Sequence, residues 1–453
     1  MESQSEQYKK SRSNQKMSQQ STKKITGFRE ASSDVLRKIC LEEGADDVGF
    51  VEIERKALGS VKKEALELYY KTKTIISFCV RTNPENIQSP SRSLASEEFH
   101  KTYADLSIIA RRIVKRLNKV GIRAVACHPV FPMDMNRWAS KIWEISHKPI
   151  AEQAGLGTTG INRMILHPKF GTFMLLDSIL IDSEVDKYDQ PLYYDPCIGC
   201  HLCIASCPVG ALDVRKGVDF NACMTHNYRD FMGGFEDWIE NIVDAKDSKE
   251  FRKKSSDSEN VSRWQSLSYG PQYKAAYCIS VCPAGEDLVS VYRNDRKGWV
   301  ENILKPLSNK KEPIYVGKDT YAEEYARKNP NKEVKVIRNI FRPNSINGFL
   351  TGVRVAFEQK HARGVNMTVH FESNGMETTQ ATMIIAGEVI DVKEGHVGIA
   401  DLGITADSET WLKTVNKETS SAEDIQAITS GKIKVQGDLK LLKQFQECFI
   451  GQE

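Results

Sequence analysis

The chain has 453 residues, 40% of them hydrophobic, enough for two or three domains that each bury a core. Its 63 basic and 60 acidic residues leave a net charge of +3, which gives no broad electrostatic case for nucleic acid or anionic membrane. No apolar stretch approaches about 20 residues, and the N-terminus has neither a signal-peptide core nor a twin-arginine sequence. A cytoplasmic protein without a membrane span or nucleic-acid partner is expected.

Residues 1–26 are rich in Ser, Gln and Lys and read as a disordered arm, because so little apolar surface cannot offset the entropy of ordering. Residues 27–190 alternate helix and strand. Helices are expected over 34–39, through 65–68 and over 96–119, with strands over 48–53, 74–80, 122–126 and 173–180, an α/β or α+β domain. Residues 191–304 form the cysteine-rich part, with a polar insertion at 244–262 read as a mobile loop. Residues 305–340 read as a linker. Residues 341–453 form a separate α+β domain, with helices over 349–360, 408–417 and 422–429, strands over 367–371, 382–385, 396–404 and 433–435, and a last helix.

Cys197, Cys200, Cys203 and Cys207, followed by Pro208, spell C-x2-C-x2-C-x3-C-P, the spacing that wraps a short loop around a cubane iron–sulfur cluster. Cys278, Cys282 and Pro283 repeat its back half, and Cys223 lies between. A zinc ribbon uses C-x2-C pairs but has no use for three staggered cysteines ending in Cys-Pro. Each Cys-Pro cysteine serves the other motif's cluster, so Cys197, Cys200, Cys203 and Cys282 are expected to hold one 4Fe-4S cluster. The second set is Cys207, Cys223 and Cys278. The position three before Cys278, where a full motif has cysteine, is Ala275. Either that cluster is a 3Fe-4S form or a non-cysteine group closes it, with His226 the candidate. Cys40, Cys79, Cys127 and Cys448 sit in apolar contexts and read as buried free thiols.

The stretch from His147 to Gly171, with Ala154-Gly155-Leu156-Gly157, Gly160, Asn162, Pro168 and Gly171, resembles the A-G-L-G-x-x-G-x-N-x-x-x-x-x-P-x-x-G segment of reductive dehalogenases and epoxyqueuosine reductases. The resemblance covers roughly residues 30–290. It implies a flavin-reductase-like or nitroreductase-like domain that holds cobalamin, and a ferredoxin-like module whose clusters feed electrons to cobalt. On that resemblance Gly155, Leu156, Gly157, Gly160, Asn162, His167 and Gly171 are expected to border the corrinoid, the glycines letting the backbone approach a large flat group. The chain has no D-x-H-x-x-G run, so a protein histidine below cobalt is not expected. Where epoxyqueuosine reductases carry an acidic V-D-T-type segment, this chain reads Ile145-Ser146-His147-Lys148-Pro149. Tyr103, His147 and Lys148 are the candidate proton donors.

Ala427 through Leu439, containing Gly431-Lys432-Ile433-Lys434-Val435-Gln436-Gly437-Asp438, is similar to the G-K-I-x-V-x-G-D ending of sterol carrier protein domains. That resemblance implies an apolar tunnel closed by Leu439, Leu441, Leu442, Phe445 and Phe449, with a filled dimerisation or lid module, and hence a homodimer, as the alternative. Together these expectations describe an oxidoreductase acting on a hydrophobic small molecule, fed by an external ferredoxin, flavodoxin or flavoprotein. A cobalamin-free electron-transfer protein and a lipid-binding scaffold with structural clusters are the competing readings.

Overall fold

The computed structural model describes residues 31–133, 135, 143–214, 217–337, 342–416 and 418–449; the arm expected over 1–26 lies outside them. In the N-terminal part four strands form one antiparallel sheet, β1 (Asp47–Glu52), β2 (Thr74–Arg81), β3 (Ala124–Ala126) and β6 (Met174–Ile181), in the order β1-β2-β6-β3. Before β6 the chain makes a small hairpin, β4 (Thr158–Thr159) with β5 (Ile165–Leu166). The strands read as continuous apolar runs because both faces are covered. Successive residues of β2 point to opposite faces. Ile76 and Phe78 pack with Leu36, Leu106 and Ile113 under the helices Ser33–Glu42 and Arg92–Lys119. Ile75 packs with Val61, Ile150 and Leu180 under the helices Ser60–Leu68 and His147–Gln153.

The insertion at 244–262 expected as a mobile loop is largely helical: after the helix Gly233–Val243 it holds Ser248–Lys254 and the start of Asp257–Tyr269. Its polarity reflects solvated faces and caps, since Ser256 and Glu259 form a reciprocal capping box at the start of the last helix. Glu259 also accepts from Lys335 Nζ (2.7 Å) and Tyr315 Oη (2.5 Å). Burial pushes its carboxyl up, but these hydrogen bonds outweigh that and hold it at about 2, against an ordinary 4.5. A depressed carboxyl stabilises the fold above its unfolded pKa and loses that contribution as pH falls towards the folded one. Glu259→Gln is therefore expected to flatten the loss of stability between pH 4.5 and about 2, by on the order of 2 kcal/mol in acid-unfolding curves, and to leave a lower plateau at pH 7.

Residues 305–340 are not a bare linker. After a short ribbon, β7 (Leu212–Asp213) with β8 (Gly217–Val218), the strands β9 (Ile314–Gly317) and β10 (Val334–Ile337) pair in parallel around the helix Tyr321–Arg327. Ile314, Val316, Ala322 and Ala326 pack on Val209, Ala211 and Ala222, with Cys207 and Cys223 at the edge of that core. The segment looked coreless because its apolar residues are few and bury against another part of the chain.

The C-terminal part is a five-stranded sheet, β11 (Asn366–Asn374), β12 (Thr379–Ala386), β13 (Val389–Glu394), β14 (Leu402–Asp407) and β15 (Ile433–Gln436), in the order β13-β12-β11-β14-β15. Of the strand expected over 396–404 only the end is extended, as the start of β14, and β13 before it was not expected; Gly395 and Gly398 take positive φ and turn the chain between the two. Met367, Val369 and Phe371 of β11 face the helices Ile346–Ala356 and Leu439–Glu447, and the Phe371 ring centroid lies 5.1 Å from that of Trp411 and 5.5 Å from that of Phe349. No described helix is long and apolar enough to cross a membrane.

Candidate iron–sulfur and cofactor site

Two loops of the same shape carry the cysteine motifs. In the first, Cys200 precedes His201, which takes a left-handed conformation (φ 52°, ψ 18°) and opens the short helix Leu202–Ser206 that carries Cys203. In the second, Ala275 precedes Ala276, left-handed in the same way (φ 54°, ψ 22°), which opens the helix Tyr277–Ser280 carrying Cys278. Cys207-Pro208 and Cys282-Pro283 then leave their helices at corresponding positions.

Cys197, Cys200, Cys203 and Cys282 line one recess, enclosed by Ile161, Leu166, Pro196, Pro283 and Ala284. Ile161 N–H donates to Cys197 Sγ (3.4 Å), so a backbone dipole already points at a sulfur. Around the second set, Ala211 N–H donates to Cys207 Sγ (3.2 Å), and Cys207 and Cys223 edge the same small core. Burial, aided by neighbouring thiols, pushes Cys203 up to about 11 and Cys223 and Cys282 to about 12, and raises Cys278 as well. Thiols so desolvated stay protonated at neutral pH unless a strongly positive group takes the thiolate, which is what cluster iron provides. The first set fits a 4Fe-4S cluster. The second offers three thiols.

His226 is buried and kept neutral by desolvation, which lowers it to about 3. Its Nδ1 accepts from Tyr315 N–H (3.3 Å), so that nitrogen is committed to β9.

Residues 191–213 match the family model described as a 4Fe-4S binding domain, and residues 356–449 match the SCP-2 sterol transfer family. Epoxyqueuosine reductases from Francisella cf. novicida (32% identity over 83 residues), Vibrio cholerae (25% over 188) and Leadbetterella byssophila (29% over 182) align with 18%, 39% and 37% of this chain. The front half of the chain is similar to epoxyqueuosine reductases. It spans 23%, 46% and 54% of the lengths of these relatives. Among solved structures, the epoxyqueuosine reductase of Streptococcus thermophilus covers 42% of this chain and 57% of its own (19% identity, TM-score 0.29). A catabolic reductive dehalogenase covers 43% and 27% (17% identity, TM-score 0.34).

The glycine segment that this epoxyqueuosine reductase-like part shares is packed on protein on the side a Cβ would occupy. A Cβ at Gly155 would meet Gln190 O at 2.7 Å, at Gly157 Leu166 O at 2.5 Å, at Gly160 the Leu166 side chain at 2.7 Å, and at Gly171 Ala284 O at 1.9 Å. Leu156 is buried with Cys79 and Phe170. Asn162 Nδ2 donates to the Cys278 carbonyl (3.2 Å) while its Oδ1 accepts from Met164 N–H (3.1 Å). His167 Nε2 lies 2.9 Å from Asp47 Oδ2, and its Nδ1 accepts from Lys169 and Phe170 N–H. These residues clamp the segment to the cluster loops and to β1.

The three candidate donors separate. His147 turns inward, with Nδ1 3.0 Å from Ser178 Oγ and Nε2 3.2 Å from the His128 carbonyl, and it is removed from the candidates because both nitrogens are used within the fold. Lys148, one residue on, is open to solvent and donates to the Arg163 carbonyl (2.9 Å). The surrounding protein nevertheless desolvates its ammonium and lowers it, while Cys278 and Cys223 act on it as neighbours. Tyr103, partly exposed and raised to about 12 by burial, stands with Tyr228 and Tyr273, both also partly exposed and raised mainly by desolvation. Tyr228 in turn neighbours Cys223 and Cys278. Tyr228 and Tyr273 were not singled out from sequence; their only signal was closeness along the chain to Cys223 and Ala275.

Proposed function

We propose that the chain is a cobalamin-dependent iron–sulfur oxidoreductase that reductively cleaves a hydrophobic small molecule. The observation that carries this reading is the recess lined by the four thiols of Cys197, Cys200, Cys203 and Cys282. When bound, the corrinoid would supply a low-valent metal centre and the clusters its electrons. The flavin-reductase-like or nitroreductase-like N-terminal domain, residues 27–190, would hold the corrinoid. Of this chain's own residues, Tyr103, Tyr228 and Tyr273 exclude water and keep phenolic protons at neutral pH, and Lys148 places a positive charge beside the second thiol set. Tyr103 and Lys148 are the proton donors this arrangement favours.

A reductive dehalogenase whose structure suggests a mechanism for B12-dependent dehalogenation supports the cofactor. The SCP-2 match supports an apolar ligand held by residues 341–453. An external ferredoxin, flavodoxin or flavoprotein is the electron donor in this reading. One solved epoxyqueuosine reductase is bound to a modified tRNA stem loop; the +3 charge of this chain and its Ile145-Ser146-His147-Lys148-Pro149 segment favour a small molecule instead.

Hydroxocobalamin titrated into anaerobically purified protein is expected to shift the corrinoid spectrum with about one equivalent bound, and Tyr228→Trp, which adds bulk beside Tyr273, to weaken binding at least tenfold without loss of iron. Iron without any corrinoid binding would favour the electron-transfer reading. A shift of labelled tRNA in a native gel would replace the small-molecule substrate.

A further inference from the structure

The helical turn that carries Cys278 is held from the N-terminal domain by a buried cation. Arg92 is the first residue of the 28-residue helix Arg92–Lys119 and is 5% exposed. Its Nη1 donates to Ser280 Oγ (3.4 Å), and its Cζ lies 5.3 Å from the centroid of the Tyr277 ring. Cys278 sits between those two residues on the helix Tyr277–Ser280. The same Nη1 donates to the carbonyls of Ile87 (3.1 Å) and Ser89 (3.2 Å). Nε and Nη2 are buried with no hydrogen-bond partner among the described residues. The carboxylate that acts on the guanidinium, Glu312, is paired with Lys310 instead.

This placement is costly on two counts. A buried charge without an opposite partner is strongly destabilising, and a cation in the first turn of a helix opposes the helix dipole. The Ile87 and Ser89 carbonyls end the short helix Pro84–Gln88, a need that a neutral donor would also meet. A neutral donor cannot balance negative charge, and thiolates that hold iron gather such charge at Cys278. We propose that Arg92 is the counter-charge of the cluster that Cys278 ligates, a positioning residue that acts through the Tyr277–Ser280 turn and raises that cluster's reduction potential. One electron from the external donor makes the cluster one unit more negative, so a fixed cation nearby favours the reduced form. The inference rests on the two-cluster reading above.

The test uses the full chain, reconstituted anaerobically, with the midpoint potential of each centre followed by spin resonance in a redox titration. Arg92→Gln keeps donors for the Ile87 and Ser89 carbonyls and removes the charge. It should disfavour reduction of the centre that Cys278→Ala removes by about tenfold, or about 59 mV for a one-electron couple. Arg92→Lys, which keeps the charge, should show the native potential. If the glutamine variant fails to hold iron, the lysine variant must hold it at the native potential. Loss of iron from both variants, a lysine variant that shifts as far as the glutamine one, or a native potential in Arg92→Gln overturns the proposal, since Arg92 would then only close the helix Pro84–Gln88. If Cys278→Ala removes no centre, the two-cluster reading itself falls, and the counter-charge role falls with it.

Discussion

Cys282→Ala is expected to remove the cluster of the first recess and to leave the second centre in place. Cys282 lies four residues after Cys278 in sequence, yet it lines the recess of Cys197, Cys200 and Cys203. Its thiol is one of four, and alanine offers iron nothing. The iron content of anaerobically purified protein should fall by about half, and the signal that remains should be that of the centre at Cys207, Cys223 and Cys278. Because a cluster binds only the folded arrangement of its ligands, its loss should also lower the thermal midpoint of this part of the molecule. Cys278→Ala should show the reverse pattern. If the two substitutions remove the same centre, the crossed assignment is wrong and each loop holds its own cluster.

Gly171→Ala is expected to be among the most destabilising single-methyl additions in the chain. Gly171 has φ +57°, and a Cβ there would lie 1.9 Å from the Ala284 carbonyl oxygen. The contact is backbone on backbone, so no side chain can swing away. Around it, Glu286 N–H donates to the Pro168 carbonyl (2.9 Å) and Asp287 N–H to the Lys169 carbonyl (3.1 Å), which seal the Cys282-Pro283 loop onto the glycine segment. The left-handed conformation alone costs about 1 kcal/mol, and forcing the two strands of chain apart adds about 2 kcal/mol or more. Gly59 separates the two effects: it also has positive φ (+53°), but nothing lies within 4 Å of its Cβ position. Gly59→Ala should lower the midpoint by about 2–4 °C and Gly171→Ala by about 6–12 °C, with partial loss of iron only in the latter. Equal shifts at the two positions would mean that the Ala284 contact contributes nothing.

The cysteine spacing by itself pointed to the cluster chemistry, in line with the 4Fe-4S domain match over residues 191–213, because the reach of a short loop lets three closely spaced thiols face one cluster. Short apolar runs marked β2 and β6, and helical periodicity the long helix Arg92–Lys119, since the local pattern already displays the surfaces that these elements bury. The stretch Gly431–Asp438 marked the last strand and helix of the C-terminal domain by its likeness to the ending of sterol carrier protein domains, in line with the match over residues 356–449. Long-range packing decided the rest. The glycines around Gly157 looked like a cradle for a cofactor, and only the fold reveals Leu166, Gln190 and Ala284 filling the space above them. Residues 314–337 have too few apolar side chains to show a core of their own; their core is completed by Val209, Ala211 and Ala222. His147 and Lys148 are adjacent in sequence, but consecutive side chains of a helix point about 100° apart. One is therefore buried against Ser178, while the other stays open to solvent and reaches the Arg163 carbonyl. Local chemistry is written in local spacing, whereas the direction a side chain faces depends on which distant segment the tertiary structure brings beside it.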